Sequence, residues 1–183
     1  MVRKLKFHEQ KLLKKVDFID WSLDNNLHES QVMAKYGIQK RAHYLLYNKL
    51  SRKIRDFANN LKEMNDANPI KMEMIRKFLG KLYQSGLIQS ADSLERANKV
   101  TATCFARRRL PVMMKNSNMT ENIKLANDYV EQGHVRVGTE LVTDPAFLVN
   151  RDLSDYITWT RGSKIKRHID NYNGERDDYT TGI

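Results

Sequence analysis

The chain has very little cysteine: Cys104 is the only one among 183 residues. A single cysteine cannot close a disulfide within the chain and cannot build a thiolate metal site. Because it lies between Thr103 and Phe105, we expect a buried structural thiol in an intracellular protein. Long apolar runs are also missing, and the N-terminus is basic from its first residues. The sequence therefore predicts no membrane partner, no membrane anchor and no signal peptide.

Patterns of catalytic residues are absent as well. The sequence contains no glycine-rich phosphate loop, no Gly-x-Ser-x-Gly turn and no pair of carboxylates at a catalytic spacing. Five histidines are scattered without metal-ligand spacing: His8, His28, His43, His134 and His168. We therefore expect neither an enzyme nor a binder of a cofactor, a metal or a small-molecule substrate.

Acidic residues are too few to balance the basic ones. The chain has 32 Lys and Arg against 22 Asp and Glu, for a formal charge of +10 and a pI of about 9.7. An excess of this size favours a polyanionic partner, and nucleic acid is favoured over an anionic membrane. Hydrophobic residues make up 40% of the chain, which is enough for a packed core.

The first domain in our division of the chain is a basic arm, residues 1–20. Its first fifteen residues contain six Lys and Arg and one Glu, and apolar side chains recur at near-helical spacing: Leu5, Leu12, Val16 and Ile19. This pattern predicts an amphipathic helix. It would either lie along a phosphate backbone or pack its apolar face on the body of the protein.

Residues 21–106 read as a helical region. The predicted helices are Glu29–Tyr36 before Gly37, Arg41–Asn65, a helix from Pro69 to a glycine cap at Ser85-Gly86, and Asp92–Cys104. The longest of them carries an apolar stripe of six residues: Leu45, Leu46, Leu50, Ile54, Phe57 and Leu61.

Residues 107–160 combine two short helices with a small sheet. One helix is predicted to start near Leu110, and another to run from an N-cap at Thr120 to Gln132, with Gly133 in a left-handed conformation. From there the apolar period changes from 3.6 to 2. Val135 and Val137 then face one way, and His134 and Arg136 the other.

The sheet is predicted to continue beyond this strand. A turn at Gly138-Thr139 leads to Leu141-Val142, a second turn lies at Asp144-Pro145, and Asp155–Trp159 reads as another strand. The last part, residues 161–183, reads as a basic segment followed by a polar, mobile end from Asn171.

Residues 107–160 resemble the RNA-binding domain named after small-subunit ribosomal protein four. The segments that carry the resemblance are Arg108-Arg109-Leu110, the two short helices, Gln132–Gly138, Asp144-Pro145 and Phe147–Val149. The helical region resembles the N-terminal part of ribosomal proteins of that family. Pattern and resemblance together predict an α+β fold, in which a helical N-terminal region precedes a small domain of two short helices and an antiparallel sheet.

The branch of this family found in the U3 small nucleolar ribonucleoprotein resembles the chain most. The matching segments include 1–6, 10–18, 107–112, 131–138 and 155–159. The resemblance implies a factor of the small-subunit processome in the nucleus and nucleolus. It would help U3 snoRNA pair with pre-rRNA for rRNA processing, beside an acidic scaffold protein and a Brix-domain protein.

The chain departs from the family pattern at Asn116-Ser117, where the family usually has Arg-Leu. The resemblance implies a phosphate contact and a core leucine at this place. Lys115 is adjacent and can supply the charge.

The chemistry expected of these residues is RNA recognition. Arginine clamps a phosphate with two hydrogen bonds and can stack on an unpaired base. Three consecutive arginines cannot all face one way, so we expect two of Arg107, Arg108 and Arg109 to face RNA. His134 shares the face of Arg136, although it can instead pack or cap beside Gly133. The predicted RNA-binding residues are Lys4, Lys11, Lys14, Lys15, Arg107, Arg108, Arg109, Lys115, Lys124, His134, Arg136, Lys164, Lys166 and Arg167.

Three other readings stay open. One is a ribosomal protein that binds rRNA permanently, and another is a helical protein-interaction module. An enzyme is the third, since the same domain is appended to pseudouridine synthases and tyrosyl-tRNA synthetases, but it is disfavoured because the helical region beside the domain carries no catalytic pattern.

Overall fold

The computed structural model describes residues 3–15, 27–65 and 68–174. Within these residues the helices are α1 (Phe7–Lys15), α2 (Leu27–Lys35), α3 (Arg41–Glu63), α4 (Pro69–Gln84), α5 (Leu94–Asn98), α6 (Ala102–Arg107), α7 (Leu110–Asn116), α8 (Ile123–Glu131) and α9 (Lys164–Asn173). The strands are β1 (Val135–Val137), β2 (Glu140–Leu141) and β3 (Ile157–Trp159), and a 3-10 turn at Ser154–Tyr156 precedes β3. No helix in this part of the chain is long and apolar enough to cross a membrane.

The long helix α3 forms the base of the helical region, and α5 and α6 pack on it. The face that it buries overlaps the predicted stripe only in part, since Leu50 and Ile54 pack against the core and Leu61 is buried. Leu45 and Leu46 are about half exposed, at 52% and 51%, whereas Tyr44 and Tyr47 are buried. The buried face continues through two small residues, Ser51 and Ala58, to Leu61. Small residues let neighbouring helices approach closely. A prediction that counts only large aliphatic residues therefore leaves Ser51 and Ala58 out of the buried face.

The limits of α4 agree with the prediction. Asn68 caps the helix by accepting the backbone N–H of Ile70 at 3.1 Å, and Pro69 occupies the first turn. At the other end Gly86 takes a φ of +74°, which glycine adopts without strain. The predicted single helix Asp92–Cys104 is wrong. It is divided into α5 and α6, and the break buries Val100 in the core.

The second region has its own core between α7, α8 and the sheet. Eight buried apolar residues form this core: Leu110, Met114, Ala126, Val130, Val135, Val137, Val149 and Ile157. The sheet is antiparallel with the strand order β2-β1-β3, and β1 pairs through Arg136 with both Leu141 and Thr158. This arrangement confirms the predicted α+β fold.

The glycines and the strand alternation in this region are also as predicted. Gly133 has a φ of +75° after α8, and Gly138 has a φ of +61° in the turn between β1 and β2. The predicted N-cap at Thr120 is wrong, because α8 begins at Ile123 after Asn122. Thr120 is instead buried at 9% exposure.

Helix α9 was not predicted, since the sequence analysis assigned these residues to a tail. Its signals are local. Ser163 caps the helix by accepting the backbone N–H of Ile165 at 3.2 Å, and Gly174 ends it with a φ of +70°. The end predicted to be mobile begins at Asn171, which lies inside α9, and its residues 175–183 lie outside the described residues.

Candidate nucleic-acid interface

Each of the three consecutive arginines donates to another part of the protein, but their exposure differs: Arg107 is exposed, Arg108 is half-buried and Arg109 is buried. Arg107 ends α6 and its Nε donates to the Tyr36 hydroxyl at 3.3 Å, a hydrogen bond that raises the pKa of Arg107. Arg108 is half-buried and its Nε donates to the Val149 carbonyl at 2.7 Å. All three are therefore placed by contacts within the protein, because Arg109 also has a protein partner, the hydroxyl of Tyr47.

Arg109 is the most enclosed of them. Its side chain is among the largest fully buried ones, at 2% exposure, and its Nη1 donates to the Tyr47 hydroxyl at 3.1 Å. The pKa of His43 is lowered, first by burial and then by the charge of Arg109. The contact of Arg109 with RNA stays a prediction, and the near-complete burial of its side chain argues against it.

A fourth arginine, Arg151, joins the two regions from the other side. Its Nε donates to the Tyr83 carbonyl and its Nη2 to the Ile88 carbonyl, both at 2.7 Å. Its guanidinium also lies 4.2 Å from the centre of the Tyr83 ring, which is a cation–π contact. Arg151 thus binds one backbone carbonyl at the end of α4 and one in the segment after it.

Arg108 lies against the same segment. A Cβ atom at Gly86 would come within 2.7 Å of Arg108 Nε, so the side chain occupies the space that this glycine leaves. Burial and the nearby Arg151 lower the pKa of Arg108. We call Arg107, Arg108, Arg109 and Arg151 the arginine clamp, because each donates a hydrogen bond to a tyrosine or a backbone carbonyl of a distant part of the chain.

Arg151 is not among the residues predicted from the sequence. No local pattern marks it, since its partners lie 63 to 68 residues away along the chain. Its backbone N–H also donates to the Gln84 carbonyl at 2.9 Å. Only the folded arrangement brings these groups together.

The exposed face of the sheet carries the other candidate arginine. Val135 and Val137 are buried, whereas Arg136 between them is half-exposed. Its Nε donates to Thr158 Oγ1 at 2.9 Å across the β1–β3 pair. The predicted alternation is therefore present, and Arg136 is fixed on the solvent side of the sheet.

His134 precedes β1 and has partners within the protein. Its Nδ1 is 3.1 Å from the hydroxyl of Ser163, and its ring meets the ring of Tyr129 edge-on at 6.3 Å between centroids. The residue is half-buried. The packing role beside Gly133 is thus present in the structure, and a contact of His134 with RNA stays a prediction.

The five predicted RNA-binding lysines and arginines that lie in α7, α8 and α9 have no carboxylate partner among the described residues. Four of them are exposed and Lys166 is half-buried. They are Lys115 at the end of α7, Lys124 in α8, and Lys164, Lys166 and Arg167 in α9. Their charges are therefore available to an external polyanion, unlike those of Arg41, which pairs with Glu29, and Lys77, which pairs with Glu73, each at 2.6 Å.

The departure at Asn116-Ser117 lies on the surface. Both residues are exposed, and the Ser117 hydroxyl lies 3.1 Å from the carbonyls of Met113 and Met114 at the end of α7. The core beside α7 is filled without the family's leucine, since Leu110 and Met114 are both 0% exposed.

The described part of the basic arm, residues 3–15, contains helix α1. Glu9 accepts the backbone N–H of Lys6 at 2.8 Å and pairs with Arg3 at 2.6 Å, which closes the first turn of α1. Leu5 and Leu12 are 42% and 50% exposed, so this half of the apolar stripe is not buried on the body.

The predicted RNA contacts of the arm fall into two groups. Lys4 and Lys11 are exposed. Lys14 and Lys15 belong to the backbone of α1, but their side chains lie outside the described residues, as do Val16 and Ile19.

Two family models match the chain. The model of the ribosomal protein S4/S9 N-terminal domain covers residues 4–105, and the model of the S4 domain covers residues 108–153. The match of the second model begins at Arg108 of the clamp and contains α7, α8, β1 and β2.

Curated relatives match almost the whole chain. The chain is 51% identical over 179 residues to the U3 small nucleolar ribonucleoprotein protein imp3 of Caenorhabditis elegans, with 98% of each chain covered. It is 49% identical over 180 residues to the IMP3 protein of Homo sapiens, again with 98% of each covered. The small ribosomal subunit protein uS4 of Nanoarchaeum equitans is more distant, at 26% over 145 residues, with 79% of this chain and 81% of that protein covered. The chain therefore belongs to the ribosomal protein S4 family and, within it, to the group of U3 small nucleolar ribonucleoprotein proteins named IMP3.

Proposed function

We propose that this chain is a non-enzymatic RNA-binding subunit of the U3 small nucleolar ribonucleoprotein and acts in the nucleolus. The observation that carries the proposal is the end-to-end match at 49 to 51% identity to relatives of that name. The match to uS4 is half as close and leaves about a fifth of each chain unmatched. A ribosome-assembly role is thus better supported than a permanent place in the ribosome.

In this role the chain would help U3 snoRNA pair with pre-rRNA, so that the small-subunit rRNA can be processed. A protein that carries a formal charge of +10 reduces the repulsion between two RNA strands that must anneal. The acidic scaffold protein and the Brix-domain protein of the particle are its proposed protein partners. Both partners are proposed on the family resemblance alone.

The RNA surface that we propose consists of side chains that the fold leaves available. Arg136 on the sheet is its centre, with Lys164, Lys166 and Arg167 of α9 beside the adjoining strand, and Lys115, Lys124, Lys4 and Lys11 as further contacts. Lys14 and Lys15 of the arm are included on the sequence alone. Arg107, which is exposed but donates to Tyr36, and the half-buried Arg108 are secondary candidates, and the buried Arg109 is left out of the proposed surface.

An annealing assay tests the function. Labelled fragments of U3 snoRNA and of the pre-rRNA segment that it pairs with are mixed with the purified chain, and duplex formation is followed by energy transfer. We expect the chain to accelerate pairing, and an equally basic unrelated protein serves as the control. Equal acceleration by the control would contradict the proposal.

A fractionation experiment separates the proposed role from that of a ribosomal protein. The chain is expected to sediment with large nucleolar precursor particles. Its presence in mature small subunits instead would favour the ribosomal alternative.

A further inference from the structure

Ser163 connects α9 to the sheet through three hydrogen bonds. Its hydroxyl accepts the Ile165 N–H at 3.2 Å and lies 3.1 Å from His134 Nδ1, and its backbone N–H donates to the Thr160 carbonyl at 3.0 Å. Ser163 is only 3% exposed. One hydroxyl therefore caps the helix and binds the residue that precedes β1.

The remainder of α9 is held loosely. None of its residues is buried, and Tyr172 near its end is 88% exposed. Ile165 and Ile169 are half-buried. Because little apolar surface fixes the helix, its direction relative to the sheet depends on the connection at Ser163.

The charges of α9 are concentrated at this attached end. Lys164, Lys166 and Arg167 lie in its first turn, and no carboxylate of the described residues pairs with them. Positive charges near a helix N-terminus reduce helix stability, so this placement does not serve the helix itself. It brings three cations close to the end of β3, the strand that pairs with β1 at Arg136.

We propose that His134 is a positioning residue, which acts through Ser163 to hold α9 beside the exposed face of β1 and β3. Arg136 and the α9 cations then contact the backbone of the same RNA molecule. His134 does this without an RNA contact of its own through Nδ1, since Ser163 occupies that nitrogen. This inference rests on the proposed RNA-binding function and adds to it the way in which the surface is assembled.

The test compares variants by the salt dependence of RNA binding. Each phosphate contact contributes roughly 0.7 to 0.9 to the slope of log affinity against log salt. Lys164→Ala combined with Arg167→Ala is therefore expected to lower the slope by roughly 1.4 to 1.8. Ser163→Ala removes no charge, yet it is expected to lower the slope by at least that amount, because all three α9 cations move away from the RNA.

Two further variants make the result specific to positioning. Ser163→Thr keeps the hydroxyl and is expected to restore the slope. Ser117→Ala is the matched control, because that exposed hydroxyl also bonds at a helix end but lies outside this surface. When Ser163→Ala is added to the α9 double variant, the slope is expected to fall further only by the roughly 0.7 to 0.9 that Lys166 contributes. His134→Ala is expected to behave as Ser163→Ala does, and circular dichroism checks that each variant is folded.

The possible failures are distinct. If Ser163→Ala and His134→Ala keep the full slope while the α9 double variant loses it, α9 binds RNA without this positioning and the inference is overturned. If the α9 double variant keeps the full slope, α9 is not part of the RNA surface and the inference is also overturned. If the unmodified chain binds RNA without any salt dependence, the proposed function itself fails.

Discussion

The arginine clamp and the face formed by β1, β3 and α9 both carry basic side chains, but the two groups differ in exposure and in what they contact. Arg109 is 2% exposed and donates to a tyrosine, whereas Lys164 and Arg167 are exposed and have no carboxylate partner in the described part of the chain. Both groups lie in the C-terminal half of a basic protein. The difference teaches that consecutive arginines in a sequence do not by themselves locate a phosphate site.

The arginine clamp connects the core of the helical region with the core of the S4 domain. Arg107 and Arg109 donate to the hydroxyls of Tyr36 and Tyr47 in the helical region, and Arg151 donates to the carbonyl of Tyr83 near the end of α4. A guanidinium offers five donors on a long side chain, so it can satisfy polar groups across a gap that a shorter residue cannot span. The clamp thereby sets the helical region against the S4 domain.

The largest expected effect on stability comes from Arg109→Ala. Removing this side chain leaves a cavity and an unpaired Tyr47 hydroxyl, and we expect a loss of about 3 kcal/mol in the free energy of unfolding. Urea denaturation measures it. Arg109→Met is the control, because it refills much of the space and is expected to recover most of the loss. An Arg109→Ala protein of normal stability with a reduced salt slope would reverse our assignment of this residue.

A smaller loss is expected from Gly86→Ala. The added Cβ would meet Arg108 Nε at 2.7 Å, and the φ of +74° is unfavourable for alanine. We expect about 1 to 2 kcal/mol of destabilisation, measured by thermal unfolding. The matched control is Gly80→Ala, at a helical position where the Cβ would meet nothing within 4 Å. It is expected to stabilise the protein by about 0.5 to 1 kcal/mol. Equal effects of the two substitutions would show that Arg108 does not occupy this space.

Arg136→Ala is expected to change stability little and RNA binding clearly. Its hydrogen bond to Thr158 is on the exposed face of the sheet, so we expect a loss of stability below about 1 kcal/mol. The slope of log affinity against log salt should fall by roughly 0.7 to 0.9. Titration of a labelled RNA at several salt concentrations gives the slope. An unchanged slope would remove the sheet face from the RNA surface.

The smallest effect on stability is expected from deleting residues 1–15. The exposed Leu5 and Leu12 indicate that this part of the arm adds little to the core, so the melting temperature should stay nearly constant. RNA annealing should weaken, since the deletion removes six lysines and arginines. A large fall in melting temperature would show instead that the arm is structural.

Local signals in the sequence located most elements but not their contacts. Pro69, Gly133 and the alternation around Arg136 were interpreted correctly because each depends only on backbone chemistry of a few residues. The buried face of α3 was predicted only in part, since the close approach at Ser51 and Ala58 depends on partner helices.

The site was harder to predict than the fold. Arginine is a residue type expected at a phosphate site. Only the folded structure shows that Arg109 instead donates a hydrogen bond to Tyr47, which lies 62 residues away along the chain. The role of Arg151 also cannot be predicted from the sequence, because its partners lie 63 to 68 residues away along the chain. Ser163 and Gly174 are local helix signals for α9 that the sequence analysis overlooked because the segment resembled a polar tail.

The most direct test of the central claim uses the unmodified chain. A bound U3 snoRNA fragment that contains photoreactive uridines is crosslinked to the protein, and the attached peptides are identified by mass spectrometry. We predict crosslinks to the peptides that contain Arg136 and α9, and none to Arg109. Crosslinks concentrated at Arg109, with none in β1 or α9, would contradict the account.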